Sequence, residues 1–237
     1  MSEWAMKRFW TQAKGAPAEG GFAVQLDGRS VKTPAKSPLV VPTQTLADAI
    51  AAEWDAQVEK IDPTTMPFTR TANAAIDKVA TQHTEVADLL AEYGDSDLLC
   101  YRADTPVELV TRQADQWDPM LEWATRDLGV QLQTRTGIIH APQDAKAVDA
   151  LRIRTHALSS FELAAFHDLV SLSGSLILGF AATTQIFEIE NLWDISRLDD
   201  LWQEEQWGPD DEAQALAEVK KQAFLHAKRF FDAVQGG

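Results

Sequence analysis

The sequence predicts an α+β protein with a small β-rich N-terminal domain over residues 1–65, containing one helix, and an all-α C-terminal domain over 66–237. Three observations lead there. Short alternating or β-branched runs separated by turn residues cluster in residues 8–41. Helical periodicities fill nearly all of the remainder. Strands and helices are therefore segregated rather than alternating, which argues against a doubly wound α/β sheet. A chain of 237 residues, 45% apolar and 24% charged, has the composition of a globular protein that buries a real core.

RFWTQAK (8–14), GGFAVQLDGRSVKTP (20–34) and SPLVVP (37–42) read as strands. Asp27-Gly28 predicts a two-residue hairpin turn between them, because primed turns need positive φ. Thr43 is placed to cap a helix over 43–58, whose i, i+4 stripe of Leu46, Ile50, Trp54 and Val58 puts Trp54 on the core side. IDPTTMPF (61–68) is a proline-punctuated connector. Helices follow over 71–80 and 84–94, the second stopped by Gly94. DLLCYR (97–102) reads as a short buried strand or an extended link. A helix over 106–129 carries Leu109, Gln113, Gln116, Met120, Trp123 and Leu128 at helical spacing, and Pro119 predicts a kink or a break within it. Residues 131–140 read as a strand or as irregular chain.

Helices are expected over 145–158 and 160–182. The second is apolar nearly all round, and its small residues Ser171, Gly174, Ser175 and Gly179 would admit a close neighbour, at ~1 kcal/mol per interior glycine. Residues 186–208 read as one long amphipathic helix with Phe187, Ile195, Leu198, Leu201 and Trp202 on one side, ended by Gly208-Pro209. A last helix over 211–234 has Leu216, Val219, Ala223, Ala227, Phe230 and Val234 as its stripe, with acids in its first turn and Lys228 and Arg229 near its end. No internal repeat or low-complexity tract is visible.

Charge is concentrated. Between residues 184 and 218 there are eleven Asp and Glu against one base, Arg197, which is −10 of the chain's −15. Asp199 is oddly placed there. It borders the apolar arc, and its helical neighbours Ser196 and Gln203 are uncharged, so it needs a partner from elsewhere. That partner is an Arg or Lys of this fold or of another protein; the plainer alternative is an internal ion pair or solvation.

The acidity excludes whole classes of function. A phosphate backbone needs a basic stripe, and an anionic membrane surface repels this charge, whereas a basic or apolar protein partner suits it. A single cysteine forbids a disulfide framework and fits a reduced cytoplasm; Cys100, in the apolar run LLCY, reads as an inert buried thiol. MSEWAMKRFW lacks the apolar region of a leader. The apolar run 169–183 is too short to span a bilayer.

Chemistry-bearing patterns are absent. There is no phosphate loop. His83, His140, His156, His167 and His226 are scattered without metal-ligand spacing, so neither metal nor cofactor is expected. Gly94-Asp95-Ser96-Asp97 looks like the start of a serine hydrolase, in which Ser96 would need a distant His as base; the plainer reading is a helix stop followed by a turn. Asp199-Asp200 and Glu204-Glu205 are adjacent, so on a helix each pair diverges. What remains is an acidic, tryptophan-bearing helical surface suited to binding.

Several co-linear runs carry a resemblance. They are GGFAVQLDGRSVKTPAKSPLVVPT (20–43), A-x-E-W-D at 51–55, M-P-x-T-R-x-A-N from Met66, D-x-L-C-Y-R at 97–102, W-D-P at 117–119, and S-R-L-D followed by W-G about ten residues on. Together they resemble the ATP synthase assembly chaperones that hold the unassembled α subunit of the F1 sector, over roughly residues 8–208. The resemblance implies two domains, no enzymatic activity, no nucleotide or small-molecule substrate, and masking of the α-subunit surface until the β subunit replaces the chaperone. It implies partner binding through Asp199, on the family's acidic position, with Arg197, Trp202 and Glu205 around it. Trp54 and Asp55 fall on a structural motif, with Trp54 serving folding. A bacterial cytoplasmic setting is expected, eukaryotic relatives working in the mitochondrial matrix.

Overall fold

The structure is a computed structural model and describes residues 7–236. The first six residues of the stretch read above for a leader lie outside the described residues. By compactness the chain forms two units. Among the described residues, the first runs to His83 and takes in Ser159–Ala165 and the chain from Arg229 on; the second holds Thr84–Leu158 and Phe166–Lys228.

In the first unit, β1 (Ala13–Ala18) pairs antiparallel with β2 (Gly21–Leu26), and β2 pairs with both β3 (Arg29–Ser30) and β4 (Val40–Val41). The expected hairpin is present: Leu26 sits opposite Arg29, with Asp27 at φ 47° and Gly28 at φ 81°. Thr43 caps α1 (Gln44–Asp55), its Oγ1 accepting from Leu46 N at 3.2 Å. Leu46, Ala47, Ile50 and Ala51 of α1 are buried together with Val24, Leu26, Leu39 and Val41 of the strand region. The stripe stops earlier than expected. Trp54 is half-buried, and Val58 lies past the helix end and is 80% exposed. Gln57 takes the buried position instead, because its amide satisfies backbone that the connector leaves open: it accepts from Asp62 N at 2.7 Å and donates to Glu53 O at 3.1 Å.

Three residues of the A-x-E-W-D run make side-chain contacts within the first unit. Glu53 reaches the start of α2 (Pro67–Asp77) and accepts from Phe68 N at 2.6 Å and from Thr69 N at 2.8 Å. A carboxylate on the free N–H groups of a helix start is well matched, although burial raises its pKa overall. Trp54 meets Trp10 edge to face at 5.4 Å, and Asp55 pairs with Arg8 at 3.1 Å.

The second unit begins with α3 (His83–Ala91), whose first residue belongs to the first unit. Leu98–Cys100 form a 3-10 turn leading into β5 (Tyr101–Arg102). Helix α4 (Val107–Trp123) comes next, and β6 (Arg135–Thr136) then pairs parallel with β5. Of the kink or break expected at Pro119, no break occurs, and α4 runs on through it. Its lost hydrogen bond falls on an exposed face, at the Asp115 carbonyl, while buried Trp117, Met120 and Trp123 hold the helix on either side. The irregularity comes later, as a π-helical turn at Ala124–Leu128 that ends on Gly129 at φ 69°.

Helix α5 (Ala145–His156) precedes two helices where one was expected. α6 (Ser160–Ser173) and α7 (Leu176–Ala182) are separated by Gly174 at φ 71°, with Ser175 capping α7 through Leu178 N at 3.0 Å. The small residues do admit a close neighbour, namely α7 itself: a Cβ on Gly179 would lie 2.6 Å from Val170 of α6. Asp97, fully buried, accepts from Ile177 N and Leu99 N, each at 3.0 Å.

The long acidic helix is likewise two. α8 (Ile189–Ser196) ends at Arg197, whose φ of −105° and ψ of 16° leave helical geometry, and α9 (Leu198–Trp207) begins afresh before Gly208. The break gives Asp199 and Asp200 a first turn to occupy, where acids are favoured. Last is α10 (Asp211–Gln235). Its stripe is buried only in the second half. Ala227, Phe230 and Val234 are buried, while Leu216 and Val219 are exposed, as is all of Asp211–Lys220 except half-buried Ala217. Among the described residues, no helix is long and apolar enough to cross a membrane.

Candidate functional site

Two faces of α9 make the candidate site. The inner face lies against α4. Leu198 anchors it, fully buried. Half-buried Asp199 accepts from Gln113 Nε2 at 2.7 Å, and buried Gln113 in turn accepts from Ala103 N at 2.8 Å. Within this fold the partner of Asp199 is thus a neutral amide rather than an Arg or Lys. Only its Oδ1 is bonded to Gln113, and its charge is not neutralised by an ion pair among the described residues. Glu205 receives both guanidinium nitrogens of Arg112, at 2.6 and 2.8 Å. That pairing holds the Glu205 carboxyl below its ordinary range and raises Arg112. The same guanidinium lies 5.8 Å from the Trp202 ring centre. Beneath them Trp117, fully buried, donates from Nε1 to Ile195 O at 3.0 Å and ties α4 to α8.

The outer face of α9 looks toward α10. Arg197 reaches over the first turns, pairing with Asp200 at 3.3 Å and Glu204 at 2.9 Å. Asp200, Glu204 and Trp207 border a groove of about 450 Å³ whose other wall is Ala213, Leu216 and Lys220 of α10.

The structure therefore gathers Asp199, Arg197, Trp202 and Glu205 around α9, with an intramolecular partner at each. Trp54 and Asp55 lie in the other unit, against Trp10 and Arg8. Sequence reading missed Arg112 and Gln113 as site residues, although amides at Gln113 and Gln116 within an otherwise apolar helical stripe were the available signal. Ser96 is exposed and shares a hollow with His140, but His140 meets Asp95 through Nε2 at 3.3 Å and Tyr101 through Nδ1 at 3.1 Å, so neither ring nitrogen is directed at the serine. Burial pushes the Cys100 thiol up to about 12, far from a nucleophile. Among the described residues, no group of three or more His, Cys, Asp or Glu is arranged to hold a metal.

An acidic helical surface that carries aromatic side chains is suited to binding another protein. Comparison with known proteins agrees. The profile of the family described as ATP12 chaperone protein matches residues 7–125. The chain is 46% identical to Atp12 from Paracoccus denitrificans, whose crystal structure superimposes with a TM-score of 0.95 over 98% of this chain and 100% of that one. The Atu1473 protein of Agrobacterium tumefaciens gives 39% identity and a TM-score of 0.90, over 97% of this chain and 85% of that one. The mitochondrial protein atp12 of Schizosaccharomyces pombe is 29% identical over 225 residues, covering 90% of this chain and 77% of the relative. This chain belongs to the ATP12 chaperone family, and its function is that of an ATP synthase assembly chaperone.

Proposed function

We propose that this chaperone binds the free α subunit of the ATP synthase F1 sector and masks its interface until the β subunit takes its place. Family membership, with similarity to relatives along nearly the whole chain, carries the reading. Unpaired apolar interface on a free subunit aggregates unless covered, which is the physical need such a protein meets. The reading includes no catalytic role, cofactor or small-molecule substrate, and a cytoplasmic location in a bacterium. Asp199 is the recognition residue proposed within it, with Arg197, Trp202 and Glu205 forming its surround. Support comes from its half-burial, its neutral hydrogen-bond partner and its free second oxygen, which together leave a fixed negative charge able to meet a cation of the client.

The test is protection of isolated α subunit from aggregation at an equimolar ratio. The parent protein should suppress aggregation and should not bind the assembled enzyme. Asp199→Asn keeps an acceptor for Gln113 while removing the charge, so it should melt close to the parent yet fail to protect. An inert parent protein would defeat the client assignment; a fully active Asp199→Asn would defeat only the role of that residue.

A further inference from the structure

The outer groove is a feature that the family resemblance leaves without a role. We propose that the groove between α9 and α10 docks a basic amphipathic segment of the client, its apolar side chains entering the groove and its Lys or Arg side chains lying along the acidic rim. This deepens the reading of the chain as a holder of the α subunit and rests on it.

Three observations carry the proposal. First, apolar side chains converge on the groove and remain uncovered: Trp207 is 79% exposed and Leu216 56%, above a floor that includes Trp193 and Leu172. Large exposed apolar groups meeting from two helices mark a binding surface rather than scattered surface residues. Second, the first half of α10 presents Ala213, Leu216, Ala217 and Lys220 at i, i+3, i+4 and i+7, a helical stripe facing a groove instead of a core. Third, the rim selects charge. The charged groups lining the groove are Asp200, Glu204 and Asp210 against Arg197 and Lys220, and Arg197 is already shared between Asp200 and Glu204. Asp210 caps α10 through Glu212 N and Ala213 N, each at 2.9 Å, leaving Asp211 and Glu212 exposed beside the opening. An apolar floor under such a rim suits a segment with apolar and basic faces. A second copy of this chain, with 36 acids against 21 bases, is a poor charge match, and an anionic membrane surface a worse one.

The experiment titrates isolated F1 α subunit with the parent, Trp207→Ala, Leu216→Glu and, as a control for general surface stickiness, Ile153→Glu on the exposed side of α5. Both groove variants alter exposed side chains, so thermal melts should match the parent. The expected result is a Kd weakened about tenfold or more by each groove variant, with Ile153→Glu unchanged and parent binding falling as salt rises. Parent-like binding by both groove variants would overturn the groove and leave the client assignment standing. Loss of parent binding altogether would overturn the client assignment and this proposal with it. A parent dimer by sedimentation that Leu216→Glu dissociates would assign the groove to a second copy and overturn the proposal. If Leu216→Glu does not fold, a photo-crosslinker at position 216 decides. Cross-linking to an α-subunit peptide with Lys or Arg beside apolar residues supports the proposal, and cross-linking to an acidic peptide or to none overturns it.

Discussion

The two faces of α9 have the same acidic composition and opposite fates. On the inner face Asp199 and Glu205 are held by Gln113 and Arg112 of α4, and Leu198 is buried beneath them. On the outer face one arginine serves two acids, and the helix ends in a tryptophan open to solvent. A run of acids thus says little about which carboxylates await a partner. What distinguishes them is the donor that the neighbouring helix supplies, and half-burial of a charge that no cation neutralises is more telling than exposure.

Breaking the inner face should have the largest effect. Trp117 is fully buried and hydrogen-bonded across to Ile195, so Trp117→Ala should lose about 3–5 kcal/mol in urea unfolding and lose binding with it. Trp207→Ala, on the outer face, should leave unfolding unchanged; equal destabilisation by the two would erase the distinction between the faces. Outside α9, Trp54 is only half-buried, against Trp10, so Trp54→Ala should cost about 2 kcal/mol with client affinity retained by the folded protein.

Depth also separates Asp199 from Asp97. Burial raises the Asp97 carboxyl from 3.8 to about 6, against the pull of the backbone donors of Ile177 and Leu99. A raised value means that the folded state binds the proton more tightly, so the contribution to stability is fully present below 3.8 and is lost as pH rises through about 6. The stability of the parent relative to Asp97→Asn should therefore increase by about 1–1.5 kcal/mol when pH falls from 7.5 to 5; a constant difference across that range would mean that Asp97 stays ionised. Smallest of all should be Glu205→Gln. Its exposed pair with Arg112 is screened by water, so the melting temperature should stay near that of the parent and any difference should shrink further in salt.

Much of the fold was legible because it depends on local rules. Asp27-Gly28 specifies its hairpin through positive φ at both residues, and Thr43 its cap through a side-chain oxygen that accepts from Leu46 N. Three of the misreadings share one cause, which is that periodicity continues through a break when both sides are amphipathic. Gly174 and Arg197 interrupt helices whose apolar pattern runs on, and the stripe of α10 continues onto residues that nothing covers.

The sequence by itself determined the segregation of strands from helices, the caps and turns, the acidity that turns the protein toward basic or apolar partners, and the family. These are properties of neighbours along the chain and of composition. Only the tertiary structure decided that Gln113 would meet Asp199 across 86 positions of sequence, that Glu53 would cap α2, that residues 159–165 would join the first unit, and that one face of α9 would be closed and the other left open. A hydrogen bond or a groove depends on which surfaces the packing brings within a few ångströms, and periodicity gives the face of a helix without naming what it will face.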